Sequence, residues 1–318
     1  MPVEQLNDTL VATTRAMASA ITIQMPRAST DVARPERLLD QALDVFHQVH
    51  DICTRFDPQS PLMRTNASPT RRHRVPSVLF DALQEAYTAY QRTHGVFDPR
   101  VVRHLESMGY DSSLSFDQAD IQVGERDEPA PLRRTWQPRF RASKCDVWIG
   151  EPVDLGGIGK GLAVRWASDV LAPHTQDYLV EAGGDCYLAG RAPDGDSWRV
   201  GVEDPFGGET PVAVLAVSDR AVATSSTRLR HWRVGERPVH HLIDPRTGKS
   251  GGEGLVAVTV VGDDPAVAEV DTKVLFLSGR DAIAREAARH EMAALWCDTE
   301  GQVHYSEAMA PYVIWERT

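Results

Sequence analysis

Five short stretches of this 318-residue chain carry side chains that could do chemistry. The first is Asp154-Leu-Gly-Gly-Ile-Gly-Lys160-Gly-Leu-Ala, set between a strand-like VWIG and an amphipathic helix bearing Leu162, Ala163, Trp166 and Val170. Its glycines let backbone N–H groups approach an anion closely, and a helix N-terminus adds positive partial charge. Lys160 could neutralise a phosphate there. The string matches neither GxxxxGK nor a clean GxGxxG, so a plain strand-to-helix turn explains it equally well. The second is Glu181-Ala-Gly-Gly-Asp185, whose paired glycines mark a bulge, a turn or a close backbone approach. The third, Ala223-Thr-Ser-Ser-Thr-Arg228, sets four hydroxyls behind a strand, as donors to phosphate or as turn caps. The fourth, His240-His241-Leu-Ile-Asp244-Pro-Arg-Thr-Gly248-Lys249, joins a turn-forming string to a histidine suited to proton transfer or phosphate contact, or to an ordinary packed one. The fifth runs from Ala268 to Gly279. There Val267, Val270, Val274 and Leu277 form a helical stripe, and Glu269 and Lys273 lie four apart on another face. That order favours an ion pair worth about 0.2–0.5 kcal/mol.

Only four of the 34 basic residues are lysines (Lys144, Lys160, Lys249 and Lys273), and three of the four fall inside these stretches. The 45 acidic residues outnumber the basic ones and leave a net charge of -11, which makes the chain a poor general binder of nucleic acid or anionic lipid. The run from Arg71 to Arg74 reads as a solvated loop. No stretch approaches the roughly 18 apolar residues of a membrane span. The start, MPVEQLNDTL, lacks a basic region followed by an apolar one, so no signal peptide is expected. Cys53, Cys145, Cys186 and Cys297 are far apart and read as reduced thiols. Together these features lead us to expect a cytoplasmic protein.

The elements that must position those stretches follow from periodicity. Strand character appears at residues 17–25, 178–182, 198–203, 212–217 and 256–262. Helical spacing appears at 36–56, 77–94, 160–171, 265–278 and 280–291. ALWCDTEGQVHYS reads as strand, turn, strand, and residues 111–144 as a surface loop or marginal strands. Helices cluster early and strands late, which predicts an α+β fold with a largely antiparallel sheet rather than a βαβ repeat. The expected organisation is an N-terminal tail, residues 1–15, and one domain over 16–312.

In this order the stretches resemble the ApbE family of FAD:protein FMN transferases. DLGGIGKGLAV, EAGGDCYLAG, VATSSTRLR and HLIDPRTGKS look like four of its motifs. FDPQSPLMRTN (56–66), THGVFDPRV (93–101) and AMASAITI (16–23) look like three earlier ones, with Ala18 and Ser19 for Gly and Thr. The resemblance covers about residues 16–310 and implies an α+β domain of that type. It implies an enzyme that cleaves the FAD diphosphate, moves FMN onto a serine or threonine of an acceptor flavoprotein and releases AMP, assisted by Mg2+. By position, Met17 would approach the flavin, and Val96, Phe97 and Asp98 would line the FAD site, with Asp98 accepting from the ligand. Asp154 and Lys160 would contact FAD, Lys160 at its phosphates, and Gly157 would offer a carbonyl to the metal. Thr224 and Ser225 would sit at the phosphate or flavin edge, and His241 would face the reacting phosphate. Many members are exported lipoproteins; without a leader or lipobox cysteine here, the expected acceptor faces the cytoplasm.

The metal helix departs from the pattern. Where the family has a metal-binding Asp and a Thr, this chain has Glu269 and Lys273. A charged ammonium has donors and no lone pair, so Lys273 cannot ligate magnesium. Three arrangements remain open at this point. Glu269 holds the metal with a shifted Asp271 or Thr272, Lys273 replaces the metal as a fixed cation, or Glu269 and Lys273 merely pair. Reduced metal dependence is the expectation. A smaller departure is Ser226, where the family often has Gly.

Overall fold

A computed structural model describes residues 3–6, 8–30, 32–112, 121–124, 126–127, 129–132 and 134–317. Its main sheet has nine strands whose spatial order is their order along the chain. They are β1 (Val3–Leu6), β2 (Thr9–Ala16), β3 (Ser19–Pro26), β4 (Tyr178–Ala182), β5 (Asp185–Ala189), β6 (Arg220–Ser226), β7 (Leu255–Gly262), β8 (Ala293–Asp298) and β9 (Val303–Tyr305). Every neighbouring pair is antiparallel. The fold is therefore α+β with an antiparallel sheet, as the sequence implied.

Within the stretch expected to be a tail, Thr9–Ala16 form a strand of the main sheet. The predicted boundary at residue 16 falls on the last residue of β2, which pairs along its whole length with β3, Thr9 opposite Pro26 and Ala16 opposite Ser19. Burial alternates along β2, with Leu10, Ala12 and Ala16 inside, but threonines stand on both sides, so a period-2 reading of the sequence misses it. The strand expected from residue 17 starts at Ser19, because Met17 and Ala18 form the hairpin turn, both with positive φ (54° and 57°). Paired left-handed residues match the right-handed twist of the flanking strands.

Helices α1 (Pro35–Cys53), α2 (Pro61–Asn66), α3 (Ser77–Arg92), α4 (Val102–Ser107) and α5 (Gly159–Leu171) intervene between β3 and β4. Helices α6 (Pro265–Ser278) and α7 (Arg280–Arg289) intervene between β7 and β8. The sequence-based helices over 36–56, 77–94, 160–171, 265–278 and 280–291 match α1, α3, α5, α6 and α7 within a few residues. The region 111–144 contains two short strands, Gln122–Val123 and Arg139–Arg141, while 113–120, 125, 128 and 133 lie outside the described residues.

The sheet is covered on both faces in its second half. Val258 and Val260 of β7 and Ala294 and Trp296 of β8 meet Leu275 and Phe276 of α6 and Ile283 of α7. Their alternates Ala257, Val261, Leu295 and Cys297 meet Trp198, Val202 and Leu215 of a small sheet made by Trp198–Val202, Ala213–Val217 and Val313–Glu316. Burial on both faces explains why β7 reads as a nearly continuous apolar run. In the first half, Ile21, Ile23, Val180 and Ala182 pack under Leu39, Phe46, Ala163 and Ala167 of α1 and α5.

The N-terminal turns of α5 and α6 abut. A methyl group on Gly161 would lie 2.5 Å from the Pro265 carbonyl oxygen and 2.6 Å from Ala266 Cα. Only a residue without Cβ lets these backbones meet. Gly161→Ala should cost about 1–3 kcal/mol through overpacking at this contact. Gly124→Ala, where a Cβ would meet nothing within 4 Å, should stay within about 0.5 kcal/mol. Denaturant unfolding of the two variants checks the contrast.

Candidate functional site

The site is built on that helix contact. Asp154 opens the turn: its Oδ1 accepts from Gly156 N–H at 2.9 Å, and its own N–H donates to the Pro99 carbonyl at 2.7 Å. Arg55 approaches its other oxygen at 3.4 Å while lying over the rings of Phe56 and Tyr110. Asp154 is thus committed to shaping the turn. The chain then enters α5 at Gly159, whose first backbone N–H groups have no partner within the helix.

One of those N–H groups finds a carboxylate from another element. Gly161 N–H donates to Glu269 Oε2 at 2.8 Å. The other oxygen, Glu269 Oε1, accepts from Lys273 Nζ at 3.2 Å, and the Glu269 carbonyl accepts from the same ammonium at 3.0 Å. Beside this pair, Lys160 Nζ contacts Asp185 Oδ2, and Asp185 Oδ1 accepts from Thr224 N–H at 3.0 Å. The four side chains form one buried cluster of two ammoniums and two carboxylates. Burial pushes the Glu269 carboxyl up, but Lys273, Lys160 and the Gly161 N–H outweigh it and hold its pKa below the ordinary glutamate value.

The other residues predicted from sequence fall around this cluster in different ways. Gly157 lies over it: a methyl there would sit 3.0 Å from the Phe97 ring and 3.4 Å from Lys273 Cε. Met17 reaches the same helix start, with its Cε 3.3 Å from a methyl built on Gly159. Val96 is half-buried just before Phe97. The Ser225 hydroxyl is buried against Thr272 Oγ1 at 2.7 Å, and Thr224 Oγ1 faces Thr259 Oγ1 at 2.9 Å. Asp98 faces Arg100. Its Oδ1 accepts from the Arg100 backbone N–H and Nε at 2.9 and 3.0 Å, and its Oδ2 from Nη2 at 2.7 Å. Its two oxygens brace the 3-10 turn Pro99–Val101 rather than standing free for a ligand.

Asp271 does not join Glu269. Two residues on along a helix, it points elsewhere and pairs with Arg92 at 2.7 Å. Glu269 has an N–H on one oxygen and an ammonium on the other. No group of three His, Cys, Asp or Glu able to hold a metal occurs among the described residues. The donor set does not fit a divalent cation, because a cation of the chain's own already occupies the carboxylate.

His241 is half-buried, with Nδ1 3.3 Å from the Arg230 carbonyl. Burial, then the charges of Arg230, His240 and Lys273, push its pKa well below 6.5. It is therefore neutral at pH 7 and can accept a proton. His240 is pushed down to about 4, chiefly by burial, with its ring edge-on to Phe276. Sequence reasoning had no role for Asp185 as the partner of Lys160, nor for Arg55, Arg100 or Arg230. A buried acid in the Gly183–Gly184 hairpin was the one available signal, and its partner lies 25 residues away.

The fold thus brings together, in one α+β domain, a glycine turn at a helix start, two buried lysine–carboxylate pairs and a histidine held neutral. The ApbE family model matches residues 17–296, and the chain belongs to the ApbE family. It is 32% identical over 264 residues to an FAD:protein FMN transferase of Chlamydia trachomatis, covering 77% of this chain and 78% of that one. It is 27% identical to the FAD:protein FMN transferase of Chlamydia pneumoniae, covering 76% and 77%. Among solved structures, the ApbE protein of Thermotoga maritima superposes with a TM-score of 0.82 at 23% identity, covering 98% of this chain and 100% of that one. The flavin transferase ApbE of Vibrio cholerae gives 0.74 at 21% identity, with 98% and 100% covered.

His240 supplies a pH test of this geometry. The unfolded chain takes the proton near 6.5 and the folded chain refuses it until about 4. Stability tied to His240 is therefore whole above that upper value and lost as pH falls through the window. The melting temperature of His240→Gln should fall less steeply than wild type between those pH values, with the two curves parallel above it. Thermal melts by circular dichroism across the range measure the difference.

Proposed function

We propose that this chain is an FAD:protein FMN transferase. Its substrates are FAD and a serine or threonine hydroxyl of an acceptor flavoprotein, and its second product is AMP. Family membership supports the reading, and one observation carries it: ammonium groups buried under a glycine turn, within electrostatic reach of a neutral histidine. A diphosphate is the part of FAD that such a turn suits.

In this account the diphosphate lies on the Gly156–Lys160 turn. The Lys160 ammonium stabilises the negative charge that grows as the bridge breaks. Met17 and Phe97 provide apolar surface beside the turn for the flavin half. The acceptor hydroxyl attacks the phosphorus of the FMN half while neutral His241 takes its proton. The phosphorus–oxygen bond to the AMP side breaks, AMP leaves, and FMN remains on the acceptor as a phosphoester. Asp154 and Asp185 orient the turn and Lys160. No step is routed through a metal, because the donor set does not fit one.

Purified protein is mixed with FAD and a candidate acceptor flavoprotein, and intact masses and released nucleotide are read together. An FMN adduct on the acceptor with AMP in equal amount is expected. FMN and AMP without an adduct in every acceptor would mark an FAD pyrophosphatase, and unchanged bound FAD a binding protein. His241→Ala should slow transfer about 10²–10⁴-fold with little change in FAD affinity, as loss of a proton acceptor does. Lys160→Ala should chiefly weaken FAD binding. Equal binding and rate in both variants would show that the residues are misassigned.

A further inference from the structure

The Lys273 side chain is placed as few lysines are. It is 85% covered by protein at a site 3% exposed at its partner Glu269, so both charges sit out of water. Its stem passes under Gly157, with Cε and Cδ 3.4 and 3.6 Å from where a methyl of that residue would be. Its ammonium donates to the Glu269 carbonyl at 3.0 Å and to Glu269 Oε1 at 3.2 Å. An ammonium has three hydrogens. The third has no hydrogen-bond partner among the described residues.

The cluster balances without a ligand. Lys160 and Lys273 offset Asp185 and Glu269, each pair in direct contact. A divalent cation entering beside Glu269 would displace an ammonium from a buried carboxylate or leave two like charges together, and both outcomes are costly. Replacing Lys273 by a neutral side chain would instead leave the cluster one negative charge in excess, next to a hydroxyl (Thr272) and a carbonyl-bearing glycine turn. Those are the hard oxygen donors that a magnesium ion takes.

We propose that the Lys273 ammonium is a built-in cation that stands where a divalent metal would otherwise hold the diphosphate, so that this chain binds FAD without magnesium. The inference rests on the FMN-transferase reading and deepens it. It makes the residue at 273 the determinant of metal dependence, and it separates Lys273 from Lys160: one replaces an ion, the other closes the turn.

The test uses the whole chain, stripped with EDTA and titrated with FAD by flavin fluorescence, in chelator and in excess magnesium chloride. Wild type should bind FAD with the same affinity in both, within about twofold. Lys273→Thr should bind about tenfold more weakly, or worse, in chelator and recover in magnesium, a difference of roughly 1.4 kcal/mol or more. Lys273→Met, which adds no oxygen of its own, should be weak in chelator and recover less in magnesium than Lys273→Thr does. Magnesium should raise the melting temperature of Lys273→Thr and leave that of wild type unchanged, since a cation stabilises only the folded form that binds it. This readout needs neither FAD nor turnover, and it reports folding of each variant. If wild type binds FAD only with magnesium, the inference is wrong while the transferase reading stands. It is also wrong if Lys273→Met binds as wild type does in chelator, or if magnesium does nothing for Lys273→Thr by either readout. If wild type binds FAD in neither condition, the transferase reading itself fails.

Discussion

One carboxylate joins the two helices on which the site rests. Glu269 sits on α6, caps a free N–H of α5 with one oxygen and holds Lys273 with the other. A buried charge of this kind is tolerable only when all its bonds are made. That requirement reaches outward. The backbones of α5 and α6 must touch, so residue 161 has no side chain. The turn before α5 must clear the lysine stem, so residue 157 has none either. Lys160, one residue before Gly161, pairs with Asp185 on the sheet.

The sheet explains why those groups converge. Its strands run in chain order, so the hairpin between β4 and β5 sets Asp185 beside β6, and β6 brings Thr224 N–H to its oxygen. Helix α6 follows β7 directly and lies back across β6 and β7, which carries Glu269 and Thr272 to the same place. Two distant parts of the chain, residues 154–161 and 269–273, meet only because this meander is interrupted by helices at the right intervals. The binding surface is thus a consequence of strand order more than of any single loop.

Much of this was legible in the sequence because it is local. Helical stripes, glycine pairs and the order of the motifs depend on neighbours a few residues apart, and α1, α3, α5, α6 and α7 follow them. What was not legible depends on distance. The pairing of Lys160 with Asp185, of Arg100 with Glu151, and of Asp154 with Arg55 is set by tertiary contact and leaves no period to read. Strand β2 escaped notice because its threonines blur the alternation. The sequence left three arrangements open for Glu269 and Lys273. The turn of Asp271 toward Arg92 argues against the first, and the contact of Lys273 with Glu269 is common to the other two; neither is a property of spacing.

The most direct measurement is a crystal structure of the chain grown in chelator and soaked with FAD. The account requires the diphosphate on the Gly156–Lys160 turn, with the Lys160 and Lys273 ammoniums at its oxygens, His241 across from the phosphorus and no metal density between them. A diphosphate bound elsewhere, or Lys273 swung aside to admit an ion, would contradict it.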